Sequence, residues 1–387
     1  GHFAPTGSTQ QTPCSPGTVA PNPSMGACLK CEAGKYQAEP GMEQCDQCTP
    51  GSYCAEGAAA ALPCAAGTYQ NKTMLQLGLS MTGPDDCLEC PPGSACSTGA
   101  AEPSKCSPGT VQPLSGKGAC VKCAAGKYQE NEGEQACVAC EPGHYCAAGA
   151  AAALPCAAGS HSTSTSLTRA GDCTPTAAGH FAPTGSTQQT PCSPGTVQPL
   201  SGKGACVKCA AGKYQENEGE QACVACEPGH YCAAGAAAAL PCAAGSHSTS
   251  TSLTRAGDCT PTAAGHFAPT GSTQQTPCSP GTVAPNPSMG ACLKCEAGKY
   301  QAEPGMEQCD QCTPGSYCAE GAAAALPCAA GTYQNKTMLQ LGLSMTGPDD
   351  CLECPPGSAC STGAAEPSKC SPGTVQPLSG KGACVKC

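Results

Sequence analysis

The sequence predicts a small disulfide-rich repeat protein. Its expected form is an elongated rod of stacked short hairpin and turn modules, with little regular secondary structure and no global hydrophobic core. Three observations predict this. The chain carries 39 Cys, 49 Gly and 38 Pro in 387 residues, with no Trp and only 3 Phe. Side chains that could fill a core are scarce, so cross-links must replace one. Long stretches of the chain recur without change, which signals units that contact neighbours rather than a common centre. Inside those stretches a short motif opens Cys-x-Pro/Ala-Gly-x-aromatic or aliphatic again and again.

The repeats set the domain organisation. Residues 1–123 recur as 265–387, residues 106–178 recur as 192–264, and residues 179–197 repeat 1–19. This gives block A at 1–105, block B at 106–178, block B′ at 179–264, and at 265–387 an identical copy of 1–123 that stops inside the next repeat. The first residues read as the interior of a repeat and not as a signal peptide, so they carry little weight on targeting.

The motif appears as CSPGTV at Cys14, CEAGKY at Cys31, CTPGSY at Cys48, CAAGTY at Cys64 and CEPGHY at Cys140. A Pro-Gly or Ala-Gly pair suits the centre of a type II turn, in which Gly supplies positive φ. The residue two after that Gly is expected to pack on the neighbouring disulfide. Each module then reads as a turn and a short hairpin. Gly and Pro at this density argue against extended helix. The GAAAAL tracts (Gly57–Leu62 and its copies) are the exception, read as single helical turns. The insert MLQLGLSM at Met74–Met81 reads as a longer variable loop.

Two Cys-x-x-Cys pairs thirteen residues apart, as in Cys28, Cys31, Cys45 and Cys48, have the spacing of a zinc ribbon. Four features favour disulfides. The intervening Cys-x5-Cys and Cys-x9-Cys steps (Cys48, Cys54, Cys64) give no repeating set of four ligands. Sequential pairing uses every cysteine but one: Cys14–Cys28, Cys31–Cys45, Cys48–Cys54, Cys64–Cys87, Cys90–Cys96, Cys106–Cys120, Cys123–Cys137, Cys140–Cys146, Cys156–Cys173, and so on to Cys370–Cys384. Cys387 is left over, and its counterpart Cys123 opens a loop closed by Cys137, so the odd count is a truncation effect. One module has lost two cysteines together: Thr176 and Gln189 stand where an opening and a closing Cys belong, as suits a two-member bond. Finally, the NKT sequons at Asn71 and Asn335 are acceptors for N-linked sugar, which implies a secretory route. Around the Cys-x5-Cys modules a Cys48–Cys64 pairing stays open. Each loop of this size stabilises its module by roughly 3 kcal/mol in the loop-entropy description.

Two-residue connectors between bridges leave little swivel, which predicts stiffness. The Cys-x9-Cys connectors such as AEGAAAALP are the expected bending points, and the module lacking its staple is an expected joint. The loops at Ser160–Arg169 and Ser246–Arg255 are rich in hydroxyls, either as solvated loops or as O-glycosylation sites.

CVACEPGHYCAAGAAAALPCAAG, from Cys137 onward, resembles the ephrin-type receptor-like cysteine-rich repeat, a relative of the epidermal-growth-factor and tumour-necrosis-factor-receptor modules. The resemblance covers essentially the whole chain. It implies a disulfide-stapled extracellular module and says little of function. The Ala/Gly/Pro bias and near-identical arrays are similar in style to secreted and surface proteins of algae and protists, such as mastigoneme and flagellar-coat glycoproteins. Thr176 and Gln189 depart from the pattern.

No catalytic constellation is visible, and no cofactor is implied. His2, His180 and His266 share one repeat position and His144 and His230 another, all as turn residues. Asp85–Asp86 could hold Ca²⁺ only weakly without an oxygen-rich loop. A net charge of −10 with no basic cluster argues against nucleic acid. No apolar run approaches the roughly 20 residues that span a bilayer. The expected function is a non-enzymatic, glycosylated extracellular rod that forms or coats a surface filament, its expected partners being copies of itself and attached glycans. The alternatives are an adhesive or ligand-binding stalk of a surface receptor and, further off, an intracellular zinc-repeat protein.

Overall fold

The computed structural model describes residues Gly1–Cys387, which divide into two compact units. One comprises Gly1–Thr190 with Leu200–Ala205, the other Pro191–Pro199 with Cys206–Cys387. Both are built from the same element, a hairpin of two-residue antiparallel strands.

The module opened by Cys31 shows the construction. Glu32, Ala33, Gly34 and Lys35 form a β-turn, closed by the Lys35 N–H donating to the Glu32 carbonyl at 3.0 Å. Gly34 takes φ +84°, the positive value that the third position of a type II turn requires. Lys35–Tyr36 then pairs antiparallel with Asp46–Gln47, Tyr36 opposite Asp46. Strands this short have no stability of their own. The Cys31–Cys45 disulfide closes the hairpin, with the two Cα atoms 5.7 Å apart.

Neighbouring modules are joined through the backbone. The Gly34 N–H donates to the Cys54 carbonyl at 2.9 Å, and the Gly57 N–H donates back to the Cys31 carbonyl at 2.8 Å. Tyr36 forms a parallel bridge to Ala58. The same pattern recurs along each unit, for instance Gly109 to Gln129 and Gly133 to Cys106, both in the first. Contact also reaches the next module but one. A β-carbon on the turn residue Gly17 would lie 2.2 Å from the carbonyl oxygen of Gly57 two modules on. The interior consists chiefly of half-cystines: Cys14, Cys31, Cys64, Cys90, Cys96 and Cys106 are wholly buried. The residue two after the turn Gly ends the first strand. Val19, Val111, Val197 and Val283 are buried there, Val375 is exposed, and tyrosine is half-buried.

Three local expectations are corrected. The GAAAAL tracts are not helical. Gly57 sits in a turn at φ +78°, Ala58 is in the bridge to Tyr36, and Leu62 belongs to the strand Leu62–Pro63. Positive φ at Gly57 and the use of its N–H by Cys31 prevent a right-handed turn from starting there. The Cys-x9-Cys tracts are consequently not free connectors. Residues 55–61 are the loop of the hairpin Ser52–Tyr53 with Leu62–Pro63, pinned to the preceding module by Gly57 and Ala58. The insert Met74–Met81, read as a longer variable loop, begins inside a five-residue helix, Lys72–Gln76. Its start is capped by the Asn71 side chain, which accepts from the Met74 N–H at 3.2 Å. Its end is a Schellman motif: Gly78 at φ +75° donates to Leu75, and Leu79 donates to the Met74 carbonyl at 2.9 Å. Met81 then turns inward and is 2 % exposed.

Candidate functional site

Nineteen disulfides join each cysteine to the next along the chain, from Cys14–Cys28 to Cys370–Cys384. The sulfurs that a zinc ribbon would use are bonded to other sulfurs: Cys28 to Cys14, Cys31 to Cys45, Cys48 to Cys54. Cys64 pairs with Cys87, so the Cys48–Cys64 alternative is not the one adopted. Cys387 is free and exposed. Disulfides in this number belong to an oxidising, secretory environment.

The module without cysteines is closed all the same. The Gln189 Oε1 accepts from the Ala177 N–H at 2.7 Å, linking the two positions where a disulfide stands elsewhere. Thr176 is 1 % exposed, and its hydroxyl accepts from the Lys203 N–H at 3.1 Å. The copy repeats this geometry, with Gln275 on the Ala263 N–H at 2.8 Å and the Thr262 hydroxyl on the Met289 N–H at 3.1 Å. The expected joint is thus a hydrogen-bonded closure: a carboxamide spans the gap and a small hydroxyl fills the cysteine's buried place.

A second device escaped sequence reasoning. In most of the loops with thirteen residues between paired cysteines, a buried glutamine follows the first strand and clamps the loop from within. Gln129 donates to the Ala136 carbonyl at 2.9 Å and accepts from the Asn131 N–H at 3.0 Å. Gln37, Gln112, Gln215, Gln301 and Gln376 make the same pair of bonds. The signal was the dipeptide Tyr-Gln or Val-Gln at a fixed place after the turn. The Cys14–Cys28 loop has Ala20 there and two prolines, Pro21 and Pro23, which stiffen the loop instead.

A third device is an aspartate placed just before the closing cysteine of the longer loops. The Asp172 carboxylate accepts from the Arg169 guanidinium at 2.9 Å and from the N–H and hydroxyl of Thr168. The Arg169 hydrogen bond, then those of Thr168, hold its pKa down to about 2. Asp258 is held the same way. Asp86 is engaged by the Thr82 and Gly83 N–H groups, which lower its pKa. That oxygen is committed to loop closure, which weighs against Asp85–Asp86 as a Ca²⁺ site.

The histidines lie on hairpin strands, apart from one another in the repeat. The Nδ1 of His144 is 3.2 Å from the Pro142 carbonyl oxygen, and those of His180 and His266 face the carbonyls of Ala178 and Ala264 in the same manner. His230 repeats the contact of His144 with Pro228, and His2 is exposed. No group of three or more His, Cys, Asp or Glu side chains is gathered to hold a metal ion. No helix is long and apolar enough to cross a membrane.

What recurs along the chain is the outer face of the hairpins. Asn71 and Asn335 are half-buried at helix starts, where their Oδ1 atoms are used as caps. Thr163, Ser164, Thr165 and Ser166 are exposed in a row, as are Thr249, Ser250, Thr251 and Ser252. Apolar residues recur uncovered at the start of second strands, as at Leu29 (54 % exposed) and Val121 (57 %). No protein-family model matches this chain, and no curated protein is similar to it. The chain is a tandem array of cysteine-rich, disulfide-stapled hairpins.

Proposed function

We propose that the chain is a non-enzymatic structural protein, a stapled and glycosylated tandem-repeat rod that forms or coats an extracellular filament, in the manner of the ephrin-type receptor-like repeats and of flagellar or cell-surface glycoproteins. The observation that carries the proposal is the interlock between modules. Backbone hydrogen bonds run in both directions between neighbours, as between Gly34 and Cys54 and between Gly57 and Cys31. A chain built this way spends its residues on continuity and not on a cleft. Identical surface features at a fixed spacing support side-by-side or helical self-association. The exposed hydroxyl rows and the NKT sequons are the places for sugar.

Native material, alkylated without reduction and mapped by peptide mass, tests the covalent half of the proposal. Sequentially linked cysteine pairs with sugar on Asn71 or on Thr163–Ser166 are expected. Free thiols with stoichiometric zinc would place the protein inside the cell and end the proposal. Immunogold labelling tests the other half: regular decoration along a surface filament is expected, and label confined to a receptor-like patch would favour the adhesive stalk. Lateral assembly fails as an idea if the glycosylated protein stays monomeric at high concentration.

A further inference from the structure

Disulfides set how much of this chain can lengthen under tension. Force entering at Cys31 leaves at Cys45 through the S–S bond, so the residues between them are shielded. The unshielded lengths are the tracts between one bridge and the next. Most are two residues long. Six are the nine-residue hairpin loops such as that from Cys54 to Cys64, each worth up to about 35 Å of contour. Two are far longer: the eighteen residues between Cys173 and Cys192 and the eighteen between Cys259 and Cys278, each worth up to about 65 Å.

Both long tracts contain the Thr–Gln closure. What holds them is non-covalent throughout: backbone bonds to the neighbouring modules, such as the Gly185 N–H on the Cys156 carbonyl and the Gly271 N–H on the Cys242 carbonyl, and, in place of a disulfide, the Gln189 carboxamide on the Ala177 N–H, the Thr176 hydroxyl on the Lys203 N–H, and their counterparts at Gln275 and Thr262. Hydrogen bonds of this kind are individually weak and re-form spontaneously. A disulfide at the same place would neither open under modest tension nor re-close without redox chemistry. The replacement is also built, not merely tolerated: Thr176 and Thr262 are each 1 % exposed and keep the module in register when it is closed.

We infer that the modules closed by Thr176–Gln189 and Thr262–Gln275 are extension elements, which open under tension, release chain that no disulfide brackets, and re-close on relaxation. This goes beyond the structural role proposed above and does not depend on where the protein resides.

Optical-tweezer pulling of the oxidised chain, with handles at its two ends, tests the inference. Two reversible events of up to about 65 Å are expected above the shorter class of about 35 Å, with the tract ahead of Cys14 adding one of about 45 Å. The T176C/Q189C and T262C/Q275C double pairs should remove both long events and shorten the total extension by roughly 90 Å. Reductant should restore them. The Q189A/Q275A variant should lower the force of the same two events and leave the others unchanged. The inference is overturned if the unreduced chain shows no event longer than that of the tract ahead of Cys14, if closing the engineered pairs leaves the long events in place, or, where those pairs stay reduced, if Q189A/Q275A leaves their force unchanged.

Discussion

At Gly109 two demands coincide. Its φ is +83°, and a β-carbon there would lie 2.3 Å from the carbonyl oxygen of Gly149. Left-handed backbone alone costs a non-glycine residue about 1–2 kcal/mol, and forcing the contact adds roughly 1–3 kcal/mol. Gly78 has the first demand without the second, since nothing lies within 4 Å of its β-carbon position at φ +75°. G109A is therefore expected to speed hydrogen exchange of the Gly149 N–H, which is bonded to the Cys123 carbonyl. G78A should disturb only its own helix end. Equal, local effects from the two variants would mean that the next-but-one contact carries no weight. Asp172 supplies a second test at this scale. Its pKa is lowered to about 2 from an ordinary 3.8. A depressed carboxylate stabilises the fold above the ordinary value and loses that contribution as pH falls through the folded one. The loop from Thr168 to Cys173 should stay ordered down to about pH 2–3. NMR titration of Asp172 and Asp258 reads this directly, and a midpoint near 3.8 would contradict it.

Within a hairpin, the disulfide and the glutamine clamp divide the labour. The bridge fixes the two ends of the loop, and Gln129 holds its middle through Ala136 and Asn131. Q129A leaves a carbonyl and an N–H without their partner, a cost of roughly 1–3 kcal/mol confined to the loop. The expected result is faster exchange at Asn131 and protease nicking between Asn131 and Ala136, with the Cys123–Cys137 bond intact. Resistance equal to that of the parent chain would show the clamp to be dispensable. Much of this element could be read from the sequence. Cysteine spacing marks the ends of each hairpin, and Pro-Gly or Ala-Gly marks its turn. The clamp could not be read so readily, because a polar residue beside a turn looks solvated until the loop is seen to fold over it. The Ala-rich tracts misled for a related reason. Alanine favours helix locally, but the Gly57 backbone is committed to the preceding module, and tertiary hydrogen bonds outweigh propensity. The Thr176–Gln189 closure left a trace as a paired loss of cysteines. Its replacement by hydrogen bonds depends on side-chain reach, which spacing does not convey.

Across the whole chain, stability is a sum of short-range terms. The buried set is chiefly half-cystine, small aliphatic and clamped glutamine, and many large aliphatic residues, among them Leu29, Val121 and Val138, remain more than half exposed. With no shared core, a break in one module deprives only its immediate neighbours, as in a one-dimensional array. Stepwise reduction should therefore unfold the chain gradually. Each bridge lost frees a loop whose two-residue strands cannot persist alone, while hairpins several modules away keep theirs. Limited reduction followed by alkylation, with hydrogen exchange read module by module, is expected to show mixed species with native and opened hairpins in one molecule. Full reduction should leave an expanded chain without the compact, dye-binding intermediate that a collapsed apolar core gives. A single cooperative transition, with every module lost after the first few bonds, would mean that the array has a common centre after all. It would also remove the physical basis for treating it as an extensible structural element.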